Sequence, residues 1–287
     1  MSSTETRIID KAAFRKKVER LTTLPSLPHL METFTTMVDD PNVSLSALGE
    51  ELAKDAALAS KVLRLVNSSF YGFPGRISTV NQAAVLLGAN ALRGLVLTTT
   101  VFDALTPEAY PLWRHSLLAS LACRIIGTRM EIPDVEEVAI AALLHDIGKV
   151  ILFLEVPEEY RAVRQSALDN ERPIWAAERA MMGFDHSDIG AWLCEKWDLP
   201  TRLAEPISCH HKPDQSVEHG IMTAGVTLGD MVVRGDGSSA EGNLPLEKLD
   251  PVIGEQLKLR RRDLEELVDK IMPEMEALKG MGPGDIS

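Results

Sequence analysis

The sequence predicts an all-α fold, a two-lobed helical bundle. Three observations predict it. Apolar residues recur at the 3.6-residue helical spacing through nearly every segment. β-branched alternation is scarce and aromatic residues make up only 5% of the chain, so no strand signal rises above the helical one. In the second half, the predicted helices repeatedly turn a His or an Asp toward the apolar side.

The bulk properties bound the function. At 287 residues, with 45% hydrophobic and 25% charged residues, the chain is long enough to bury a substantial core. A net charge of -12 argues against general nucleic-acid binding, which needs a basic surface to neutralise phosphates. The one basic cluster, Lys258 with Arg260, Arg261 and Arg262, sits among acids and reads as a solvated face. Cys123, Cys194 and Cys209 are odd in number and widely spaced, as expected of reduced thiols in a cytoplasmic protein. The opening MSSTETRIIDK lacks the apolar core of a signal peptide. No stretch reaches the roughly 18 unbroken apolar residues of a membrane span, so no membrane association is expected.

Taken in order, Asp55 is placed to cap a helix over 56–66, with Leu58, Val62 and Leu65 on one face. Ser78 is expected to cap a helix ending at Gly88, and Asn90 to cap the next. Asn67 and Ser68 end a helix as a hydrogen-bonded turn or as a contact with a ligand or the second lobe. An amino-terminal lobe is expected over residues 1–107, closing at Thr106-Pro107-Glu108, and a second over 108–235. Pro111, Pro157 and Pro200 each stand where a first helical turn would begin. The stretch RGDGSSAEGNLPL, from Arg234 to Leu246, reads as a linker, so that 236–287 holds a linker and a final helix over Leu257–Leu278, broken at Pro273. That helix could mediate a homodimer. Of Trp192 and Trp197, five residues apart, at most one should face the core squarely. His29 is expected to cap or pack, and His219 to be exposed.

The chemistry concentrates in the second lobe. His115 shares a helix face with Leu112, Ala119, Ala122 and Ile126. His186 leads the stripe Ile189, Gly190, Leu193 and Trp197, and Leu203 and Ile207 run on to His210 and His211. Thr223 and Val226 lead to Asp230 and Val233, while AALLHDIGKVIL carries His145, Asp146 and Lys149 through an apolar helix. One inward histidine is usually a core residue with a hydrogen-bond partner. Five helices doing this together point to a shared cation, because isolated ionisable groups are too costly to scatter through a core. Imidazoles and carboxylates suit one or two divalent ions of Fe, Mn, Zn or Ni. Gly148, Gly190 and Gly229 lie in or beside these helices, where close helix approach explains them better than a phosphate loop.

These residues also carry a resemblance. HDIGK resembles the signature of the HD superfamily of metal-dependent phosphohydrolases, whose fold is an all-helical bundle. LPSLPHL, KDAALASKVLRLVNSSFYG and ISTVNQAAVLLGANALRGLVL, ahead of it, resemble the HDOD family, the HD-related output domain of bacterial signalling proteins. The order His115, His145-Asp146, His186, His210-His211, Asp230 is similar to the ligand order of two-metal members, including the HD-GYP phosphodiesterases. The resemblance implies a first metal on His115, His145, Asp146 and Asp230. A second would be bridged by Asp146 and completed by His186 and His210, with His211 at a further position or behind a ligand. It implies catalytic roles for Asp146 and for Lys149, which would steady a phosphate or the attacking hydroxide; a salt bridge to a ligand carboxylate is the alternative for Lys149. No GYP follows His210-His211, which weakens any claim to cyclic-di-GMP hydrolysis, and Pro111 stands where some three-metal relatives have a Glu. Two functions follow. One is a phosphohydrolase or phosphodiesterase acting on a phosphoester or nucleotide. The other is a non-catalytic output module that binds a signalling protein partner or a small ligand, its metal structural or vestigial.

Overall fold

A computed structural model of the chain describes residues 9–20, 33, 34, 36–38, 40, 42–67, 77–102, 110–235 and 249–278. All regular structure among them is helical.

In the amino-terminal part, α1 (Lys11–Glu19) starts at Asp10, whose carboxylate accepts the Ala12 and Ala13 N–H groups. Ser44 caps α2 (Leu45–Ala53) in the same way. Asp55 Oδ1 accepts from Ala57 and Leu58 N–H and opens α3 (Ala56–Asn67), which buries Leu58, Val62 and Leu65 as its spacing predicts. Asn67 is tied to Ile77, giving its amide to the Ile77 carbonyl at 2.5 Å and accepting the Ile77 N–H at 3.0 Å. Two expected caps are displaced. Thr79, not Ser78, accepts the Gln82 N–H at the start of α4 (Val80–Leu87), and Ser78 bonds the Gln82 side chain instead. Gly88, at φ +81°, ends α4, and α5 (Ala89–Phe102) begins ahead of Asn90, whose amide is spent on Glu137 at 2.9 Å.

The second part holds α6 (Tyr110–Arg129), α7 (Val135–Leu144), α8 (Ile147–Glu155), α9 (Pro157–Asp169), α10 (Ile174–Met182), α11 (His186–Lys196), α12 (Thr201–Cys209) and α13 (Gly220–Gly235). Pro111 lies in the first turn of α6 and Pro157 opens α9, whereas Pro200 stands one residue ahead of α12. α7 is buried from Val138 to Leu144, and α5, α6, α12 and α13 pack around it. The string AALLHDIGKVIL is two helices, not one: α7 stops at Leu144, His145 and Asp146 form the corner, and α8 restarts at Ile147.

α11 runs between α1, α8 and α12. Neighbours on several sides overturn the expectation for its two tryptophans, since Trp192 and Trp197 are both buried. Trp192 lies against Phe184, with Lys11 and Arg15 of α1 over its ring. Arg93 of α5, itself buried, donates to the Trp197 and Asp198 carbonyls at the far end of α11.

The closing segment also differs from expectation. Arg234 and Gly235 continue α13 instead of starting a linker. A short α14 (Pro251–Gln256) takes Leu257 as its cap, and the last helix, α15 (Arg261–Leu278), starts at Arg261 and runs through Pro273 without a break. Its stripe of Leu267, Ile271 and Met275 is buried within the chain, where α15 packs on α6. Arg260 and Arg262 are engaged by Asp263 and Glu266, in keeping with a solvated face. His219 is half-buried instead of exposed, its Nε2 3.2 Å from the Thr201 hydroxyl. No described helix is long and apolar enough to cross a membrane. The expected lobe boundary at 106–108, the tract 236–248, His29 and Ser68 fall outside the described residues.

Candidate metal centre

The corner between α7 and α8 explains how neighbouring residues can both face the interior. On an unbroken helix, His145 and Asp146 would diverge by about 100°. With the helix interrupted between them, both side chains enter one buried cluster. α8 can come this close because residue 148 has no side chain: a Cβ there would lie 2.0 Å from the His186 carbonyl oxygen. A Cβ at Gly229 would likewise sit 2.3 Å from Cys123 Sγ, which sets the approach of α13 to α6.

Asp146 occupies the middle. Its Oδ2 is 3.3 Å from His145 Nε2 and 3.6 Å from His115 Nε2, and its Oδ1 is 3.2 Å from His186 Nε2 and 3.9 Å from His210 Nε2. Asp230 joins the first side, with Oδ1 3.1 Å from His115 Nε2 and 3.6 Å from His145 Nε2. On the second side, His211 Nε2 is 2.8 Å from His186 Nε2. Two potential ligand groups result, His115–His145–Asp146 and His186–His210–His211, with the ligand atoms of each within 4.8 Å of one another. Lys149 Nζ lies 2.8 Å from Asp146 Oδ2. Every candidate named from the sequence therefore reaches this cluster.

The ring nitrogens are already sorted. His145 gives Nδ1–H to the Ala142 carbonyl at 2.6 Å, His210 gives its own to the Ile207 carbonyl at 2.8 Å, and His186 Nδ1 faces Glu178 Oε2 at 2.6 Å. Each neutral ring then presents an Nε2 lone pair to the centre. His210 Nε2 and Asp146 Oδ1 are buried without a hydrogen-bond partner. His115 Nε2 and His145 Nε2 stand 3.3 Å apart. Such an array of buried electron pairs is repulsive unless protons or cations lie among them. The donor set fits a divalent metal.

The electrostatics agree. Burial works against charging His145, yet Asp146 and Asp230 outweigh it and raise its pKa to about 9. At His186 burial is likewise outweighed, chiefly by Glu178, and the pKa rises to about 10. His210, buried among cationic neighbours His145 and His186, is pushed down to about 3, and His211 is lowered for similar reasons. Against burial, His145 and Lys149 hold Asp146 well below the usual carboxylate range, and Arg234 does so for Asp230.

Two contributors escaped the sequence reading. Glu178 is a buried carboxylate inside the unremarkable amphipathic run IWAAERAMM, eight residues ahead of His186. Arg234 pairs with Asp230 and was hidden in the expected linker; its position one turn after Asp230 was the available signal.

Residues 24–213 match the family described as the HDOD domain. The chain belongs to the HDOD family. Two solved structures are similar to this HDOD chain across most of its length. A "Putative phosphohydrolase" from Shewanella amazonensis SB2B is 23% identical, with a TM-score of 0.69 over 92% of this chain and 96% of that one. A "Putative signal transduction protein" from Marinobacter aquaeolei VT8 is 21% identical, with a TM-score of 0.74 over 100% of this chain and 69% of that one. At these identities the likeness carries the fold. An uncharacterised protein of Treponema pallidum (strain Nichols) is 25% identical over 239 residues, and the match takes in 80% of this chain. It spans 45% of that relative, so the HDOD chain corresponds to about half of the longer protein.

Proposed function

We propose that this HDOD protein holds one or two divalent ions of Fe, Mn, Zn or Ni in the His/Asp cluster and hydrolyses a phosphoester or nucleotide in bacterial signal transduction. The observation that carries the reading is the convergence of imidazole Nε2 atoms and carboxylate oxygens from α6, α11, α13, the end of α12 and the α7–α8 corner. His115, His145, Asp146 and Asp230 would hold one ion; Asp146, His186, His210 and His211 would hold the other. When bound, such ions stabilise charge on a phosphoryl group and make a nucleophile available at neutral pH. Asp146 acts by offering one oxygen to each half. Lys149 restrains Asp146 Oδ2 and keeps a positive charge beside the place where phosphate oxygens would gather. The names of the Shewanella and Marinobacter structures support a phosphohydrolase and a signalling role respectively.

Elemental analysis of the purified protein followed by bis(p-nitrophenyl) phosphate and a nucleotide panel tests the proposal. Stoichiometric metal with turnover is expected; metal-free protein would remove the reading. One observation favours a second function. His145, His186 and His210 are fully buried, which suits a structural metal in an output module as well as a catalytic one. Stoichiometric metal without turnover on any substrate would select that function, with a protein partner or small ligand as its output in the cytoplasm.

A further inference from the structure

Glu178 makes an unusual pair of contacts. Its Oε2 accepts both the backbone N–H of His186 at 2.8 Å and a bond from the ring Nδ1 of the same residue at 2.6 Å. Its Oε1 has no hydrogen-bond partner, although the side chain is completely buried. A buried carboxylate is among the most expensive groups a core can contain. A glutamine would accept the same two bonds through its carbonyl oxygen without the charge. The contacts alone therefore leave the charge unexplained.

The neighbouring ligands supply the explanation. His145 and His210 commit Nδ1 to neutral backbone carbonyls, those of Ala142 and Ile207. His115 Nδ1 is buried without a partner. Among these rings, His186 is the one backed by an anion, and its Nε2 points at Asp146 Oδ1 and His211 Nε2. A carboxylate behind an imidazole fixes the ring's tautomer and orientation and strengthens it as an electron-pair donor to a metal.

We infer that Glu178 is a positioning residue of the metal site, acting through His186 to hold the ion on the His186–His210–His211 side. Its grip on the His186 backbone N–H also ties the first turn of α11 to α10, so ring and helix are aimed together. The two halves of the site consequently differ: on the His186 side an outside anion backs an imidazole, whereas on the His115–His145–Asp146 side the outside charges are cations, Lys149 and Arg234, on the carboxylates. This inference rests on the proposed metal binding.

The test is a titration of the metal-free protein with Mn²⁺ or Zn²⁺ against a chromophoric chelator, in wild type and Glu178→Gln, alongside the metal-free melting temperature. The expected result is metal binding weakened about 10- to 100-fold on the affected side, with any ion on the other side retained; the metal-free melting temperature falls as well, because the buried His186–Glu178 pair is lost. A purely structural Glu178 would lower that temperature while leaving the affinity of the folded protein alone, and this result overturns the inference. Unchanged affinity in Glu178→Gln also overturns it and leaves the metal reading intact. Failure of the wild type to bind either ion removes the reading and the inference together. If Glu178→Gln does not fold, Glu178→Asp replaces it. That variant keeps the charge but shortens its reach, so weakened binding supports the positioning role and wild-type affinity refutes it.

Discussion

His145 and His186 set the pH behaviour of the site, because without metal their pKa values stand at about 9 and about 10 against an ordinary 6.5. A raised histidine pKa stabilises the metal-free fold fully below the unfolded value, and that contribution is lost as pH climbs through the folded value. Metal binding has the opposite sign, since the ion must displace the protons. The gain in melting temperature on adding Mn²⁺ or Zn²⁺ should therefore grow from pH 6 to pH 9. Calorimetric titrations in buffers of different ionisation enthalpy should show protons released on binding; a pH-independent gain with no proton release would contradict the assignment of these two rings as ligands. Replacing both members of the corner, His145→Ala with Asp146→Ala, should abolish stoichiometric metal and lower the melting temperature of protein purified with metal. Unchanged metal content would contradict the ligand assignment. Much of this site was legible in advance, because a His or Asp on a 3.6-residue apolar stripe has a defined direction. Glu178 and Arg234 were not, because each touches a candidate ligand from behind. Nothing in the local pattern separates Glu178 from the acids of a solvated helix face.

At the scale of the element, α11 shows how termini carry the site. Asp185 caps it, accepting the Ser187 and Asp188 N–H groups, while Asp188 returns a bond to the Asp185 N–H. Asp185 is wholly buried and also engages Arg179. Asp185→Ala should cost about 1–2 kcal/mol in chemical denaturation, and an unaltered midpoint would show that the cap is dispensable. Helices were easier to foresee than their first residues. Thr79 displaces Ser78 because either hydroxyl can cap, and the choice depends on where Gln82 turns. The break at His145-Asp146 carries no Gly or Pro, the usual marks of a helix end, and the surrounding apolar residues continue the periodicity across it.

At the scale of the molecule, α5 and α11 meet through Arg93, whose guanidinium serves the carbonyls at the end of α11 opposite His186. Arg93→Ala would leave the Trp197 carbonyl, which it meets in a buried bond, without that donor, at about 1–3 kcal/mol. Equilibrium unfolding should show that loss, and stability equal to wild type would mean that water replaces the guanidinium without penalty. The all-helical architecture was readable from periodicity, but the contacts of α1 were not, because Phe14 meets Phe184 across 169 intervening positions of chain. α1 covers Trp192 from one end of the sequence, and Asp230 enters the cluster from the other; both fall outside the stretch 24–213 that defines kinship. An excised fragment with those limits would be unroofed at one flank and short of a cluster carboxylate at its centre. Homology marks ancestry here, while packing carries the buried unit past the matched stretch at both ends.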